Sequence, residues 1–328
     1  MKKHSHGGDI YKFSKELKTS PEKIIDFSSN INPCKPKIAL DFNSLDISKY
    51  ADFKYTKLKK KLSYKYGVKP TQIALFNGAS SAIQAILTSV DTIVTIYAPA
   101  YSEYVKHAKK VKLINRFKNL YEEPEKDSFV IFVNPSTPDG RYYDLERLFE
   151  IWKRQNNTVL IDESFLDFTP NTSSFKNSNK LYILKSLTKF YSCAGVRVGI
   201  VLSSKQNIKT IEKTIPAWNI SRYDENYIIE ALKDKKFEKR TIENLAKDKK
   251  RLFKVLKSSK YIKKIYESDA NFFLVKLKKI DASKLQKKCK KQKILIRNCD
   301  NFDFLDDRHV RFSVKGKKDV KRLAYVLS

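Results

Sequence analysis

The sequence has few cysteines and no long apolar run, and both shortages narrow the classes of protein that it can encode. Its four cysteines, Cys34, Cys193, Cys289 and Cys299, include no Cys-x-x-Cys pair and no metal-ligand spacing to the histidines. No segment approaches the ~20 consecutive apolar residues of a membrane span, and residues 1–6 are not followed by the apolar core of an export signal. We therefore expect a soluble cytoplasmic protein with reduced thiols, no metal site and no membrane partner.

Acidic side chains are also scarce, since 36 aspartates and glutamates stand against 67 lysines and arginines and leave a formal net charge of +31. Such an excess attracts polyanions non-specifically, and residues 57–61 and 287–293 form lysine-rich runs. The lysines are nevertheless spread over predicted surface helices, without a recognised nucleic-acid motif or an aromatic stacking platform. We expect no specific nucleic-acid partner. A basic nucleic-acid-binding or scaffold protein on an inactive enzyme fold remains the alternative from a different class.

Short apolar runs alternate with segments of helical periodicity between residues 73 and 215. The runs cover residues 73–76, 92–97, 111–114, 129–133, 158–161, 181–184 and 198–202, and helical examples are 81–87, 143–152 and 208–215. This alternation predicts an α/β fold with a mostly parallel, seven-stranded sheet that helices cover on both faces. A charged helical pattern at 224–258 then leads into strands at 271–277, 294–297 and 309–314 and helices at 282–291 and 317–327, which predicts a small α+β domain.

Chemically useful side chains stand at the ends of these predicted strands. Lys189 lies between Ser186 and Arg197, directly after the run 181–184, and burial beside a cation lowers the pKa of a lysine enough for covalent catalysis. Asp162 ends the run 158–161, where a buried carboxylate needs a cationic partner. Residues 78–80 (GAS) precede a helix whose free N–H groups can bind phosphate. Each feature alone has an ordinary explanation, but their joint order indicates a site for pyridoxal 5′-phosphate.

Several motifs carry a resemblance to a known family. They are residues 6–11 (HGGDIY), 26–33 (DFSSNINP), 134–140 (NPSTPDG), 297–299 (RNC) and 310–312 (VRF). On these motifs the sequence resembles the fold-type I pyridoxal-phosphate enzymes of the histidinol-phosphate aminotransferase group, and the terminal motifs favour the threonine-phosphate decarboxylases within it. The loop 134–140 is a near match to the family's usual Asn-Pro-Asn-Asn-Pro-Thr-Gly.

The resemblance implies a homodimer with three parts to each chain. These are an N-terminal arm at 1–40 that packs with the small domain or the partner subunit, a large cofactor-binding domain at 41–223, and a bridging helix with a small domain at 224–328. It also implies a role for particular residues. For the cofactor, Lys189 bonds the aldehyde, Asp162 pairs with the ring nitrogen, Asn134 binds the phenolic oxygen, Tyr101 stacks on the ring, Tyr50 reaches the neighbouring subunit's site, and the phosphate ligands are Gly78, Ala79, Ser80, Ser186 and Arg197.

For the substrate, the resemblance implies that Arg311 and Asn30 bind a carboxylate and that Arg297 and His6 bind a phosphate. The expected activity is decarboxylation of an O-phosphorylated amino acid, with threonine phosphate as the first expectation and serine phosphate as a close variant. One methyl group is worth only about 1–3 kcal/mol in a pocket, so these two stay open. An aminotransferase of the histidinol-phosphate type is the alternative, because the same groups favour either reaction according to the angle at which they hold the carboxylate.

Overall fold

A computed structural model describes residues 6–328. Its strands are β1 (Ile25–Asp26), β2 (Ile73–Asn77), β3 (Val94–Ala98), β4 (Val111–Asn115), β5 (Phe129–Val133), β6 (Thr158–Asp162), β7 (Leu181–Ser186), β8 (Val198–Leu202), β9 (Ile262–Ile265), β10 (Phe272–Leu277), β11 (Ile294–Leu295), β12 (Arg297–Asn298) and β13 (His309–Ser313).

The α-helices are α1 (Ile10–Glu16), α2 (Thr56–Tyr66), α3 (Gly78–Leu87), α4 (Glu103–His107), α5 (Glu146–Arg154), α6 (Leu187–Phe190), α7 (Lys205–Glu212), α8 (Arg222–Ala231), α9 (Phe237–Lys257), α10 (Ala282–Lys290) and α11 (Lys317–Leu327). Short 3₁₀ helices cover Pro21–Lys23, Phe42–Ser44, Pro70–Gln72 and Leu166–Phe168. No helix within residues 6–328 combines the length and the apolar character needed to cross a bilayer.

The larger sheet has seven strands in the order β2-β8-β7-β6-β5-β3-β4, and this confirms the predicted α/β fold with a mostly parallel sheet. Only β8 runs antiparallel to its neighbours β2 and β7. Alternate side chains of the central strands enter two apolar layers, because successive residues of a strand point to opposite faces. Phe132 and Ile161 pack in the layer of Trp152 from α5, whereas Ile131 and Leu160 pack in the layer that contains α3. Burial on both faces explains why these strands read as continuous apolar runs.

A second sheet forms in the C-terminal part of the chain, with the antiparallel order β12-β13-β10-β9. The N-terminal segment joins this part, since β1 pairs in parallel with β11 and the Ser313 amide donates to the Phe27 carbonyl at 2.9 Å. The same segment also contacts the helix that follows β7, since the Asn32 amide donates to the Lys189 carbonyl at 3.0 Å. The domain boundaries expected near residues 40 and 223 stay predictions.

Three details of the C-terminal part differ from expectation. The helical pattern at 224–258 is two helices, α8 and α9, because Asp234 sits in a turn where its carboxylate accepts from the Arg240 guanidinium and the Lys37 amide. The run at 294–297 divides into β11 and β12, which belong to different sheets. Strand β9 was not predicted, since its two central residues are exposed lysines that leave little apolar alternation to detect.

Candidate active site

A cleft of about 560 Å³ opens between the edge of the seven-stranded sheet, the N-terminal segment and the four-stranded sheet. It brings together most of the residues that the sequence singled out. Its lining includes Ala79, Ser80, Tyr101, Asp162, Ser186, Lys189 and Arg197 from the large sheet and its loops, and His6, Asn30, Arg297 and Arg311 from the termini.

The strand directions explain why the first group converges. Strands β2, β6 and β7 all end at this edge of the sheet, at Asn77, Asp162 and Ser186. Strand β8 runs the opposite way, so its beginning lies at the same edge, with Val198 opposite Asn77. Arg197 therefore enters the cleft from just before a strand, whereas the other groups follow one.

Lys189 lies on the one-turn helix α6, directly after β7. Its burial is the main cause that lowers the pKa of its amine; the guanidinium groups of Arg197 and Arg311 lower the pKa further, and Asp162 opposes them. The Lys189 side-chain nitrogen lies 5.2 Å from the centre of the Phe165 ring. These surroundings favour the neutral amine, which is the nucleophilic form of a lysine.

Asp162 is held by two donors on the buried end of β6. Its Oδ1 accepts from the Ser164 amide at 2.8 Å, and its Oδ2 accepts from the hydroxyl of Tyr104. Tyr104 is fully buried, and burial together with the Asp162 charge raises the pKa of its hydroxyl well above the usual value. The hydroxyl therefore stays protonated and donates, which stabilises an ionised carboxylate that faces the cleft.

Gly78 opens helix α3 with a φ of +78°, a conformation that favours glycine. A Cβ at this position would lie 2.6 Å from the Arg197 guanidinium, so the glycine leaves the arginine room beside the helix N-terminus. Gly199 leaves room from the other side, since a Cβ there would lie 2.4 Å from the Ala79 nitrogen. The free N–H groups of the first turn and the Arg197 charge thus face one small volume, which suits a phosphate.

The opposite wall of the cleft carries two buried guanidinium groups, on Arg297 and Arg311, which lie opposite each other on β12 and β13. Burial lowers the pKa of Arg311 to about 10, so it remains charged at neutral pH. Arg311 Nε and the Asn30 Oδ1 are buried and have no partner within the described residues. Unpaired buried polar atoms of this kind mark unused capacity to bind a ligand.

Arg297 and His6 have partners within the described residues. The Arg297 guanidinium donates to the Asn298 carbonyl at 2.5 Å and to Asn301 Oδ1 at 2.8 Å, and it stands 5.3 Å from the Phe302 ring centre. The His6 Nε2 lies 3.4 Å from a carboxylate oxygen of Glu103, and its ring centre lies 5.4 Å from that of Tyr101.

Asn134 lies beside the cleft, since its backbone amide donates to the Asp162 carbonyl at 2.9 Å. Its side chain is 1% exposed and does not line the cleft; its amide nitrogen donates to the Tyr143 carbonyl and its oxygen accepts from the Tyr143 amide, both at 2.9 Å. The side chain is thus committed to closing the loop that follows β5, and its contact with a cofactor stays a prediction. Three residues later, Thr137 faces the cleft instead.

Tyr50 lies outside the cleft of its own chain. It is 75% exposed and stacks on Trp218 with ring centres 4.4 Å apart. A role at an active site would require a second subunit, so its assignment stays a prediction.

Sequence reasoning missed Tyr104, Thr137 and Arg116. Tyr104 lies in the first turn of α4, three residues after Tyr101, and Arg116 follows the last residue of β4, so closeness to a predicted site residue and strand ends were the available signals. The four cysteines are free, and residues 6–328 contain no cluster of side chains suited to a metal ion.

The described residues fit pyridoxal phosphate. They offer an amine with a lowered pKa, a carboxylate fixed by two donors, and an anion-binding helix start beside an arginine. A carboxylate suits a protonated pyridine nitrogen, and a helix start suits a phosphate.

Comparison with known proteins places these features in context. Residues 22–327 match the family model described as aminotransferase class I and II. The adenosylcobalamin biosynthesis bifunctional protein CobDQ of Leptospira interrogans is 31% identical over 97% of this chain, which spans 40% of that relative's length. The threonine-phosphate decarboxylase of Salmonella typhimurium is 26% identical over 98% of this chain and 95% of its own.

Solved structures give the same fold. The histidinol-phosphate aminotransferase of Clostridium acetobutylicum is 31% identical, with a TM-score of 0.83 over 92% of this chain and 97% of that one. A histidinol-phosphate aminotransferase from Sinorhizobium meliloti, solved in complex with pyridoxal 5′-phosphate, is 20% identical, with a TM-score of 0.83 over 98% of this chain and 93% of that one.

Proposed function

The chain belongs to the aminotransferase class I and II family, whose enzymes use pyridoxal 5′-phosphate, and we propose that it removes the carboxylate from an O-phosphorylated amino acid. The proposed substrate is L-threonine O-3-phosphate, and the product is (R)-1-aminopropan-2-yl phosphate. The observation that carries this proposal is the pair of buried arginines, Arg297 and Arg311, opposite Lys189 in one cleft. Two cations there suit a substrate with two anionic groups.

Arg311 binds the carboxylate in this proposal. Its Nε has no partner within the described residues, and a guanidinium holds a carboxylate through parallel hydrogen bonds. Asn30 would contribute the amide nitrogen of its side chain, since its Oδ1 is an acceptor. Asn30 has little freedom to move away, because its carbonyl accepts from the Asn271 side chain at 3.0 Å. Arg297 and His6, which line the same cleft, then face the phosphate.

Bound pyridoxal phosphate supplies an electron sink that lets a bond at the substrate Cα break. Arg311 and Asn30 would select that bond by fixing the direction of the substrate carboxylate. The bond from Cα to the carboxylate breaks, its electron pair stays on Cα, and carbon dioxide leaves. Lys189, which carries the only lysine amine among the described residues that line the cleft, would take a proton from the ammonium group of the incoming substrate and deliver it to Cα. Asp162, held by the donors Tyr104 and Ser164, would pair with the ring nitrogen of the cofactor.

The second candidate is an aminotransferase of the histidinol-phosphate type. It is favoured by the 31% identity to the Clostridium acetobutylicum structure, which exceeds the 26% identity to the Salmonella typhimurium decarboxylase. Purified holoenzyme should be given L-threonine phosphate, L-serine phosphate, and histidinol phosphate with 2-oxoglutarate. Carbon dioxide release from threonine phosphate is the expected result. Amino transfer that depends on the keto acid, without gas, would overturn the proposal in favour of the second candidate.

We further propose that the protein is a homodimer in which Tyr50 approaches the partner's active site. The support is an exposed aromatic group, Tyr50, Phe53 and Trp218, whose side chains are 75%, 62% and 43% exposed and pack on one another. A contiguous apolar surface of this kind is typical of an interface. Analytical ultracentrifugation should give a dimer for the parent protein and a smaller species for Trp218→Glu; a monomeric parent would refute the proposal.

A further inference from the structure

The orientation of the Arg311 guanidinium is determined by two acceptors from distant parts of the chain. Its Nη1 donates to the Thr137 hydroxyl and its Nη2 donates to the Ser28 carbonyl, both at 3.2 Å. Thr137 is 6% exposed and lines the cleft. A planar guanidinium with two of its nitrogens fixed has a defined plane, and its Nε, which has no partner within the described residues, is left to bind a ligand together with a second N–H of the group.

Thr137 is itself held by a buried ion pair. The Arg116 Nη2 donates to the Thr137 carbonyl at 3.2 Å and to Asp139 Oδ1 at 2.5 Å, and its Nη1 donates to Asp139 Oδ2 at 3.0 Å. The side chains of Arg116 and Asp139 are 1% and 3% exposed. The pair also holds neighbouring segments, since Arg116 donates to the Pro99 carbonyl at 3.2 Å and Asp139 accepts from the Ser136 hydroxyl at 2.8 Å.

Such a pair is a rigid support rather than a source of chemistry. Neither residue lines the cleft, and the hydrogen bonds that the Arg116 guanidinium donates end on the two loops that follow β3 and β5. A buried ion pair whose remaining donors are satisfied resists displacement, because moving one partner leaves an uncompensated charge. The Thr137 hydroxyl is therefore presented to Arg311 at a fixed position.

We propose that Thr137 is a positioning residue that sets the angle at which Arg311 holds the substrate carboxylate, with the Arg116–Asp139 pair as its support. The inference rests on the proposed decarboxylation, in which that angle selects the bond that breaks. A carboxylate bound bidentately lies in the plane of the guanidinium, so rotation of that plane rotates the carboxylate with it. Loss of the Thr137 acceptor frees this rotation without removing the charge of Arg311.

The test uses holoenzyme and the variants Thr137→Val, which loses the acceptor but keeps the shape, and Thr137→Ser, which keeps the acceptor. Binding is measured by calorimetry with two unreactive ligands, 3-phosphooxybutanoate, which carries carboxylate and phosphate, and isopropyl phosphate, which lacks the carboxylate. Thr137→Val should raise the Kd of 3-phosphooxybutanoate about tenfold and change the Kd of isopropyl phosphate by no more than about twofold. Thr137→Ser should restore most of the loss. Thr95→Val, which removes a buried hydroxyl bonded to Ser128 far from the cleft, should change neither.

A second readout is the fate of the substrate. With threonine phosphate and 2-oxoglutarate, Thr137→Val should raise the ratio of amino transfer to carbon dioxide release several-fold over the parent, and Thr137→Ser should lower it again. The role of Thr137 would be overturned by any of three results. Thr137→Val could lose affinity for both ligands equally, Thr137→Val and Thr137→Ser could lose affinity for 3-phosphooxybutanoate equally, or both variants could bind as the parent does. If the parent releases no carbon dioxide, the proposed function fails, but the two-ligand comparison still decides whether Thr137 orients Arg311.

Discussion

The two walls of the cleft differ in how far their polar groups are already satisfied. On the wall built from the seven-stranded sheet, Asp162 has two donors and Lys189 sits in a position set by strand β7. On the wall built from the termini, Asn30 Oδ1 and Arg311 Nε are buried without a partner in the described chain. The first wall is thus preorganised for a tightly bound cofactor, whereas the second keeps hydrogen-bonding capacity for a substrate that binds and dissociates.

The largest effect is expected from a substitution on the wall built from the seven-stranded sheet. Lys189→Ala removes the amine that, in the proposed function, bonds the cofactor and protonates the substrate, so turnover should fall by at least about 10³-fold. The measurement is steady-state turnover together with the visible absorbance of the holoenzyme, and both should be lost while the far-ultraviolet circular dichroism is kept.

The matched control is Lys205→Ala, which removes an exposed lysine outside the cleft. Its turnover should equal that of the parent. Turnover retained in Lys189→Ala would show that another residue supplies the amine.

The next effect separates the two arginines of the wall built from the termini. Arg311→Gln would leave the carboxylate of the proposed substrate without its charged partner, and loss of one buried charged partner costs about 2–5 kcal/mol. The value of kcat/KM for threonine phosphate should therefore fall about 10²-fold or more, while the Kd of the carboxylate-free product, measured by calorimetry, should change little.

Arg297→Gln provides the opposite pattern, because it faces the phosphate in this assignment. Arg297→Gln should weaken the binding of the product and of the substrate to the same extent. If both variants weakened the product equally, the division of labour between the two arginines would be wrong.

A smaller effect tests whether the two hydrogen bonds that Asp162 accepts contribute to cofactor affinity. Tyr104→Phe removes one of the two donors to Asp162, and a hydrogen bond to a charged group contributes about 1.5–3 kcal/mol. The Kd of pyridoxal phosphate, measured by dialysis and absorbance, should rise about tenfold or more.

Tyr182→Phe is the control, since this partly buried hydroxyl lies on β7 away from Asp162. Its cofactor affinity should be unchanged. An unaltered Kd in Tyr104→Phe would mean that Ser164 alone suffices to hold the carboxylate.

The smallest effect concerns the contacts that join the two walls and their contribution to the free energy of unfolding. Lys249 on α9 donates to the Ser268 carbonyl at 2.5 Å, and the Asp269 amide donates to the Gly140 carbonyl at 2.8 Å. Burial lowers the pKa of Lys249 to about 8, below the ~10.4 of a lysine in an unfolded chain. Between these values the unfolded chain binds more protons than the folded one, so this lysine makes the free energy of unfolding rise with pH.

Lys249→Met should remove that rise, which is on the order of 1 kcal/mol between pH 8 and 10 because the side chain is only partly enclosed. The measurement is urea unfolding at several pH values for the variant and the parent. Parallel curves for the two proteins would contradict the assignment.

The two walls of the cleft also differ in how well their residues could be predicted from the sequence. Strand ends are visible as the last residues of apolar runs, so Asp162, Ser186 and Lys189 could be located from the order of residues alone. The two arginines opposite them were found only through the family motifs, because β12 is too short to show a pattern. A sequence does not report that the Tyr143 backbone satisfies the Asn134 side chain. Arg116 and Asp139 are far apart in the sequence, and nothing local signals that they meet.

The reversed strand β8 has a consequence for how the protein is held together. Because β8 runs against β7, a single short connection starts at Ser186 and finishes at Arg197, and it carries Lys189 near one end. A cofactor fastened to both Lys189 and Arg197 would act on this connection as a crosslink, shortening the loop that the chain must close. Ala194 and Gly195, exposed in the middle of it, are then the place where a protease should distinguish an empty molecule from a loaded one.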